Sequence, residues 1–331
     1  MPVRYLVTGA SGFLGRHAVA ALLARGERVR VLVRRPDAIP PAWRDAGLEV
    51  IAGDLSGDAD LAGACAGIDT VWHLAGLAHV RGVAPGAHDR VNRAATLALA
   101  EAASAAGVRR FVYVSTAKAV GDSDAIQDET SANPPQSDYG RAKRAAEEAL
   151  IAMARAQRLE TVCLRPPLIY GPGVGGNLGM MLKLIARGYF PPLPDTGNHR
   201  SLIGTEDMVS ALLLASAHPA AVGQAYFVTD GQTYSTARIE RAIRTALGRP
   251  IPGWAIPAWV LQAMATAGSL LGAALGRPLP LDKTSLRALL GHAEYDSGKI
   301  RRELGFAPLN TLESALPAML GTAAGNAQGR R

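Results

Sequence analysis

Cysteine is nearly absent. Cys65 and Cys163 lie in separate apolar segments, without the spacing of a metal-binding or redox pair. No metal site or disulfide framework is therefore expected; the two read as small buried hydrophobes in a reducing compartment, which implies a cytoplasmic location. Long blocks of like charge are absent too. The formal charge is +7, but the cations are scattered, and the short clusters Arg34-Arg35, Arg109-Arg110 and Arg301-Arg302 are interrupted by apolar structure. No nucleic-acid partner is expected from that pattern, and a basic enzyme that binds doubly anionic ligands accounts for the surplus equally well. Met1-Pro2-Val3-Arg4 leads straight into an apolar run, which leaves no room for a leader. The single membrane-like stretch, 251–276, has no charged residue, yet Pro252, Pro257 and many Gly and Ala keep its hydrophobicity modest. It reads as a buried or lid helix and not a transmembrane segment, with interfacial membrane contact as the alternative.

What is present is a glycine-rich turn close to the N-terminus. Val7-Thr8-Gly9-Ala10-Ser11-Gly12-Phe13-Leu14-Gly15 follows an apolar run and opens into an Ala- and Leu-rich segment. A strand ending in such a turn and continuing into a helix offers free N–H groups and a positive dipole end to an anion. Gly9 would permit the tight turn, Gly12 the approach of a pyrophosphate, and Gly15 the packing of helix on strand, with Ser11, Phe13 and Leu14 completing the loop. Strand and helix patterns alternate from here on, which implies an α/β fold with a Rossmann-type, doubly wound parallel sheet.

The cofactor's choice is read one strand later. Arg34 and Arg35 close the strand pattern 28–33, where arginine suits the 2′-phosphate of NADP and an acid the 2′-hydroxyl of NAD. NADP(H) is the expected cofactor, with NAD as the alternative, since Asp37 lies nearby. Asp54 and Leu55 end the next strand, where Asp54 would meet the adenine or cap the following helix. Leu74, Ala75 and Gly76 end the strand after that, and the small residues would let cofactor lie against the main chain. His73 reads as a packed, locally bonded residue. The chemistry-bearing pair is Tyr139 and Lys143, at i and i+4 on one helical face, where a buried ammonium would favour the phenolate. Tyr139 would then exchange a proton with a substrate oxygen while Thr116, or Ser115, holds that oxygen.

Thr8-Gly9-x-x-Gly12-x-x-Gly15, Gly53-Asp54-Leu55, His73-Leu74-Ala75-Gly76, Ser115-Thr116, Tyr139-x-x-x-Lys143 and Arg165-Pro166-x-x-x-Tyr170-Gly171-Pro172 occur in that order. Together they resemble the extended short-chain dehydrogenase/reductases of the NAD-dependent epimerase/dehydratase type, to about residue 318. The resemblance implies Thr116, Tyr139 and Lys143 as the catalytic set, Lys143 and Pro166 also at the cofactor, and Asn92 as structural support. The second half is similar to bacterial nucleotide-sugar 4-epimerases and 4-ketoreductases, which implies Asn177 and Arg200 at a nucleotide-sugar diphosphate and Lys118 beside the substrate. Arg277 and Arg287 are candidates for a second phosphate-binding arginine, and Asp207 belongs to a structural motif.

The expected organisation is a dinucleotide-binding core over 1–170, a smaller C-terminal α/β substrate-binding region over 171–318 with segments returning to the core, and a flexible tail over 319–331. The expected function is hydride transfer at C4 of a nucleotide-activated sugar, of the UDP-linked deoxy amino type, by a reductase or epimerase. The alternatives are a ketone or hydroxysteroid-type reductase of the same family, whose apolar site the 251–276 stretch would line, and a cofactor sensor that has lost catalysis. The Ala-rich helices near 97–106 and 144–156 further suggest a homodimer.

Overall fold

The computed structural model describes residues 4–78, 84–275 and 282–328. Seven parallel strands form the central sheet: β1 (Arg4–Thr8), β2 (Arg28–Val33), β3 (Glu49–Ala52), β4 (Thr70–His73), β5 (Arg110–Val114), β6 (Glu160–Arg165) and β9 (Gln224–Phe227). Their order is β3-β2-β1-β4-β5-β6-β9. The chain runs outward from β1 to β3, returns, and runs outward again from β4. The strand order therefore reverses between β1 and β4, where the carboxyl ends of an open α/β sheet leave a crevice for a ligand. β1, β4, β5 and β6 are buried along most of their length, as expected of strands covered on both faces.

One face is covered by the helices Phe13–Ala24 and Thr205–Ala217, through Ala18, Val19, Leu22, Met208 and Leu212. The other is covered by the helices Ala95–Ala105 and Asp138–Arg155, through Leu99, Ala103, Leu150 and Met153. Polar groups inside these layers are paired. Trp72 Nε1 donates to Ser216 Oγ at 2.7 Å, and His73 bonds Thr8 Oγ1 at 2.7 Å and Thr96 Oγ1 at 2.8 Å. Burial holds the His73 imidazole neutral, with its pKa pushed down to about 3.

A second apolar cluster, from Tyr170 to Met319, forms the C-terminal region around the two-stranded parallel sheet β7 (Leu168–Tyr170) and β8 (Leu202–Gly204). Asp207 ties its end down, accepting from the backbone N–H groups of Leu309 and Asn310 at 2.9 and 3.0 Å. Between β8 and the end of the chain, β9 and the helix Gly298–Leu304 return to the main sheet.

The helix Leu312–Gln328 runs into the segment expected as a tail, of which 329–331 lie outside the described residues. One expectation is narrowed here. The 251–276 stretch is not buried as a whole but only along one stripe of its helix. It forms the helix Ala258–Ala274, preceded by an extended segment, and Trp254, Trp259, Leu270 and Leu271 are more than half exposed. Gly276 and Arg277 lie outside the described residues.

Candidate active site

The glycine turn sits at the reversal in strand order. Gly9 has φ +73°, and a Cβ there would come within 2.7 Å of Ala75 N and 2.8 Å of Leu74 C. A side chain is thus excluded twice, by conformation and by the close approach of the β4 terminus. Gly15 is as tightly placed, since a Cβ would meet Gly9 O at 2.0 Å. Gly12 N donates to Gly9 O at 2.9 Å, which closes the turn. Ser11 and Gly12 are exposed, Phe13 is half-buried and Leu14 buried, so the loop opens outward while its helix is anchored inward.

Arg34 and Arg35 are both exposed at the end of β2. Asp54 follows β3, and its Oδ1 accepts from Ser56 N at 2.9 Å and Ser56 Oγ at 2.8 Å. Those bonds, with the nearby Arg34 and Arg90 cations, hold its carboxyl below the usual range. Asp54 therefore closes a local turn and leaves Oδ2 without a hydrogen bond among the described residues; the next helix is capped instead by Asp60. Leu55 and Leu74 are half-buried beside the crevice. Gly76 is exposed, and a Cβ there would crowd Asn92 Oδ1 at 3.0 Å and Lys143 Nζ at 3.3 Å.

Asn92 accounts for the path of this loop. It accepts from Leu77 N at 2.7 Å and donates to Leu77 O at 3.1 Å. The 90–106 segment is not one regular helix: a π turn, Arg90–Ala94, joins the short helix Ala87–Asp89 to Ala95–Ala105. Asn92 is fully buried within that turn and also meets His88 Nδ1 at 3.3 Å.

β5 delivers Ser115 and Thr116 to the same edge. Ser115 is buried, and its Oγ has no hydrogen-bond partner among the described residues. Thr116 ends the strand in extended conformation, and its Oγ1 accepts from Lys118 N at 3.2 Å. The Lys118 side chain is exposed beside it. Pro166 is buried and accepts from Ala117 N at 2.9 Å, which pins this loop to the end of β6.

The helix Asp138–Arg155, capped by Ser137 Oγ, carries Tyr139 and Lys143. Here the structure departs from the expected phenol–ammonium contact. Lys143 Nζ donates to Val114 O at 2.9 Å and lies 4.5 Å from the centre of the Tyr113 ring. Burial lowers its pKa to about 8, opposed by the Glu147 carboxylate and by Cys163. The Tyr139 phenol is pushed up by burial, and its hydrogen bond with Thr116 opposes that rise. The ammonium's attraction for the phenolate is therefore not the dominant influence in this state. Lys143 faces the main chain and Gly76.

Two residues at the site have no sequence assignment. His88 packs edge-on against Tyr139, with ring centroids 5.8 Å apart. Its signal in the sequence is only its spacing of four residues from Asn92. Glu147 forms a buried pair with Arg165 at 2.7 Å and supports the Lys143 charge from behind. The run Tyr139, Lys143, Glu147 at intervals of four was a legible signal for it, since such residues share a helical face.

The substrate-side expectations are more dispersed. Asn177 is exposed in the first turn of the helix Gly176–Ala186. Arg200 is half-buried and donates to Gly291 O at 3.1 Å, and burial lowers its pKa. No carboxylate pairs with it among the described residues. Arg287 is exposed on the helix Lys283–Leu290.

This arrangement defines a dinucleotide-binding oxidoreductase of the short-chain type, with an open glycine cradle and a Thr–Tyr–Lys set at one sheet edge. Residues 5–229 match the NAD dependent epimerase/dehydratase family, and the chain belongs to that family. It is 31% identical to the UDP-glucose 4-epimerase of Vibrio cholerae over 324 residues, covering 95% of this chain and 93% of the relative. It is 29% identical to a 3-beta-hydroxysteroid dehydrogenase of Mycolicibacterium neoaurum, with 96% and 90% covered. Among solved structures, MoeE5 in complex with UDP-glucuronic acid and NAD superposes with a TM-score of 0.76 at 27% identity, covering 98% of this chain and 99% of that one.

Proposed function

We propose that this chain is an NADP(H)-linked oxidoreductase that transfers hydride at C4 of a nucleotide-activated sugar, reducing a 4-keto sugar or epimerising through one. The observation that carries the reading is Arg200. A half-buried guanidinium with no carboxylate partner among the described residues suits a diphosphate, whose paired oxygens match its fork of donors. The full-length likeness to a UDP-glucose 4-epimerase and to a protein that binds UDP-glucuronic acid supports the same substrate class. Asn177 and Lys118 would add contacts to the phosphates and sugar.

The cradle around Gly9, Gly15 and Gly76 and the unbonded Ser115 hydroxyl fit a dinucleotide against the sheet edge. Arg34 and Arg35 favour NADP(H), since two exposed cations follow β2, the strand end from which folds of this type meet the 2′-phosphate. A nicotinamide held at this edge would supply the hydride exchanged with the substrate carbon. Thr116 and Tyr139 hold the substrate oxygen, and the Tyr139 hydroxyl gives or takes its proton. The raised phenol pKa keeps Tyr139 protonated at neutral pH, which suits the reductive direction. Lys143 supplies positive charge beneath Gly76, where a ribose hydroxyl would fit. Ser115 gives a further hydroxyl to the site. We further propose a homodimer built on the helices Ala95–Ala105 and Asp138–Arg155, whose groove exposes Leu97, Ala149 and Ala152.

The test is turnover with UDP-4-keto-6-deoxy-N-acetylhexosamine. NADPH consumption in preference to NADH, or formation of an epimerised product, is expected; neither would remove this reading. A second reading, a ketone or hydroxysteroid reductase, is favoured by the likeness to the hydroxysteroid dehydrogenase over 96% of this chain. Oxidation of a 3β-hydroxysteroid in the same assay, without sugar turnover, would select it.

A further inference from the structure

The helix Ala258–Ala274 is apolar on its outside. Leu261, Ala265, Gly268 and Gly272 are buried, and their spacing of four, three and four puts them on one stripe. Three of these four are Gly or Ala. Apart from Leu261, the largest side chains point the other way: Trp259 is 70% exposed, Leu270 69% and Leu271 57%. Met264 lies on the same arc, with Trp254 just before the helix and Leu275 just after it, each at least half exposed. A helix that turns its small residues inward and its large apolar residues outward is arranged for an apolar surrounding beyond the protein.

The segment leading into the helix lies among aromatic and cationic residues. Ile256 N donates to Pro192 O at 3.0 Å, so the segment leading into the helix lies against the loop that carries the exposed Tyr189. Arg249 Nη2 donates to Ala186 O at 2.6 Å, which places Arg249 beside Arg187. Both arginines are exposed, and neither has a carboxylate partner among the described residues. No Asp, Glu, Lys or Arg interrupts 251–276, while the chain as a whole carries +7. Tryptophan and tyrosine at the margin of an apolar face, with arginine alongside, match the headgroup boundary of a bilayer. The charge selects among occupants: a second copy would bring the same cations and the same net charge, whereas an anionic surface attracts them.

We propose that this face docks on an anionic lipid surface, lying in its interfacial layer. No helix among the described residues is long and apolar enough to cross a membrane, so the contact is peripheral. It takes up the alternative of interfacial contact over that of a buried or lid helix for this stretch, and it stands apart from the substrate reading.

The test uses the full chain with large unilamellar vesicles of phosphatidylcholine, with or without phosphatidylglycerol. Co-sedimentation with the anionic vesicles is expected to exceed that with phosphatidylcholine alone by about tenfold or more and to fall with added salt. Two of the four tryptophans, Trp254 and Trp259, are the exposed ones, so emission should shift to the blue on binding. Leu270→Glu and, separately, Arg249→Glu should each weaken binding, with the thermal midpoint unchanged as the check on folding. Equal sedimentation with both vesicle types, or no sedimentation, overturns the proposal. So does wild-type binding by both folded variants, or a dimer in sedimentation velocity that Leu270→Glu dissolves.

Discussion

Two helices of almost equal length show opposite ways of meeting their surroundings. Asp138–Arg155 buries Leu150 and Met153 against the sheet and turns Asp138, Arg141 and Glu148 to the outside. Its two buried charged groups, Lys143 and Glu147, are each held by a partner. Ala258–Ala274 buries glycine and alanine and exposes tryptophan and leucine. The first has the pattern of a helix that completes a core. The second gives that core only Leu261 and small residues, so packing does not explain its exposed large side chains.

The largest effect that would sharpen this contrast concerns the chemistry proposed for the first helix. Tyr139→Phe should lower turnover by about 10²- to 10⁴-fold while leaving cofactor affinity, measured by fluorescence titration, near wild type. Near-normal turnover would remove the helix from the reaction. Next comes a matched pair of truncations followed by denaturant unfolding. Leu150→Ala, at a fully buried position, should cost about 2–5 kcal/mol. Leu270→Ala should stay within about 0.5 kcal/mol, and equal costs would break the comparison.

A smaller effect is a pH dependence centred on Lys143. The cost of burying its ammonium is fully present below about pH 8, where native and unfolded chains are both protonated. From about 8 to 10.5 the native chain has lost that proton while the unfolded chain keeps it, so stability should rise with pH across this window. The gain is on the order of 3 kcal/mol for the whole window, and denaturation of Lys143→Met at pH 7.5 and 10 should lack it. A variant that gains as much as the wild type would show that Lys143 is not the group responsible.

The parallel sheet was legible in the sequence because its signals are local. A glycine turn after an apolar run, and β-branched runs alternating with Ala-rich segments, report their geometry without knowledge of distant residues. The positions of Gly9, Gly15, Asn92, Thr116 and Tyr139 at one edge follow from that same register. The direction of the Lys143 side chain was not legible. An i, i+4 spacing places two residues on one face, but the carbonyl of Val114, 29 residues away in sequence, determines where the ammonium points. His88 was hidden for the same reason, since its approach to Tyr139 depends on the π turn. The 251–276 stretch shows the limit of composition, which cannot distinguish a helix with its large side chains inward from one with them outward.

The π turn at Arg90–Ala94 amounts to one residue more than an ordinary helix would use. One residue is worth about 100° of rotation about the helix axis. The turn thus sets the phase between two otherwise independent helical pieces, one packed under the sheet through Leu99 and one presenting His88 to the Tyr139 ring. Removing a single residue there would leave the core piece in place and swing the other by that angle, carrying His88 off the phenol. Length, and not side-chain identity alone, is therefore part of what this chain encodes at this sheet edge.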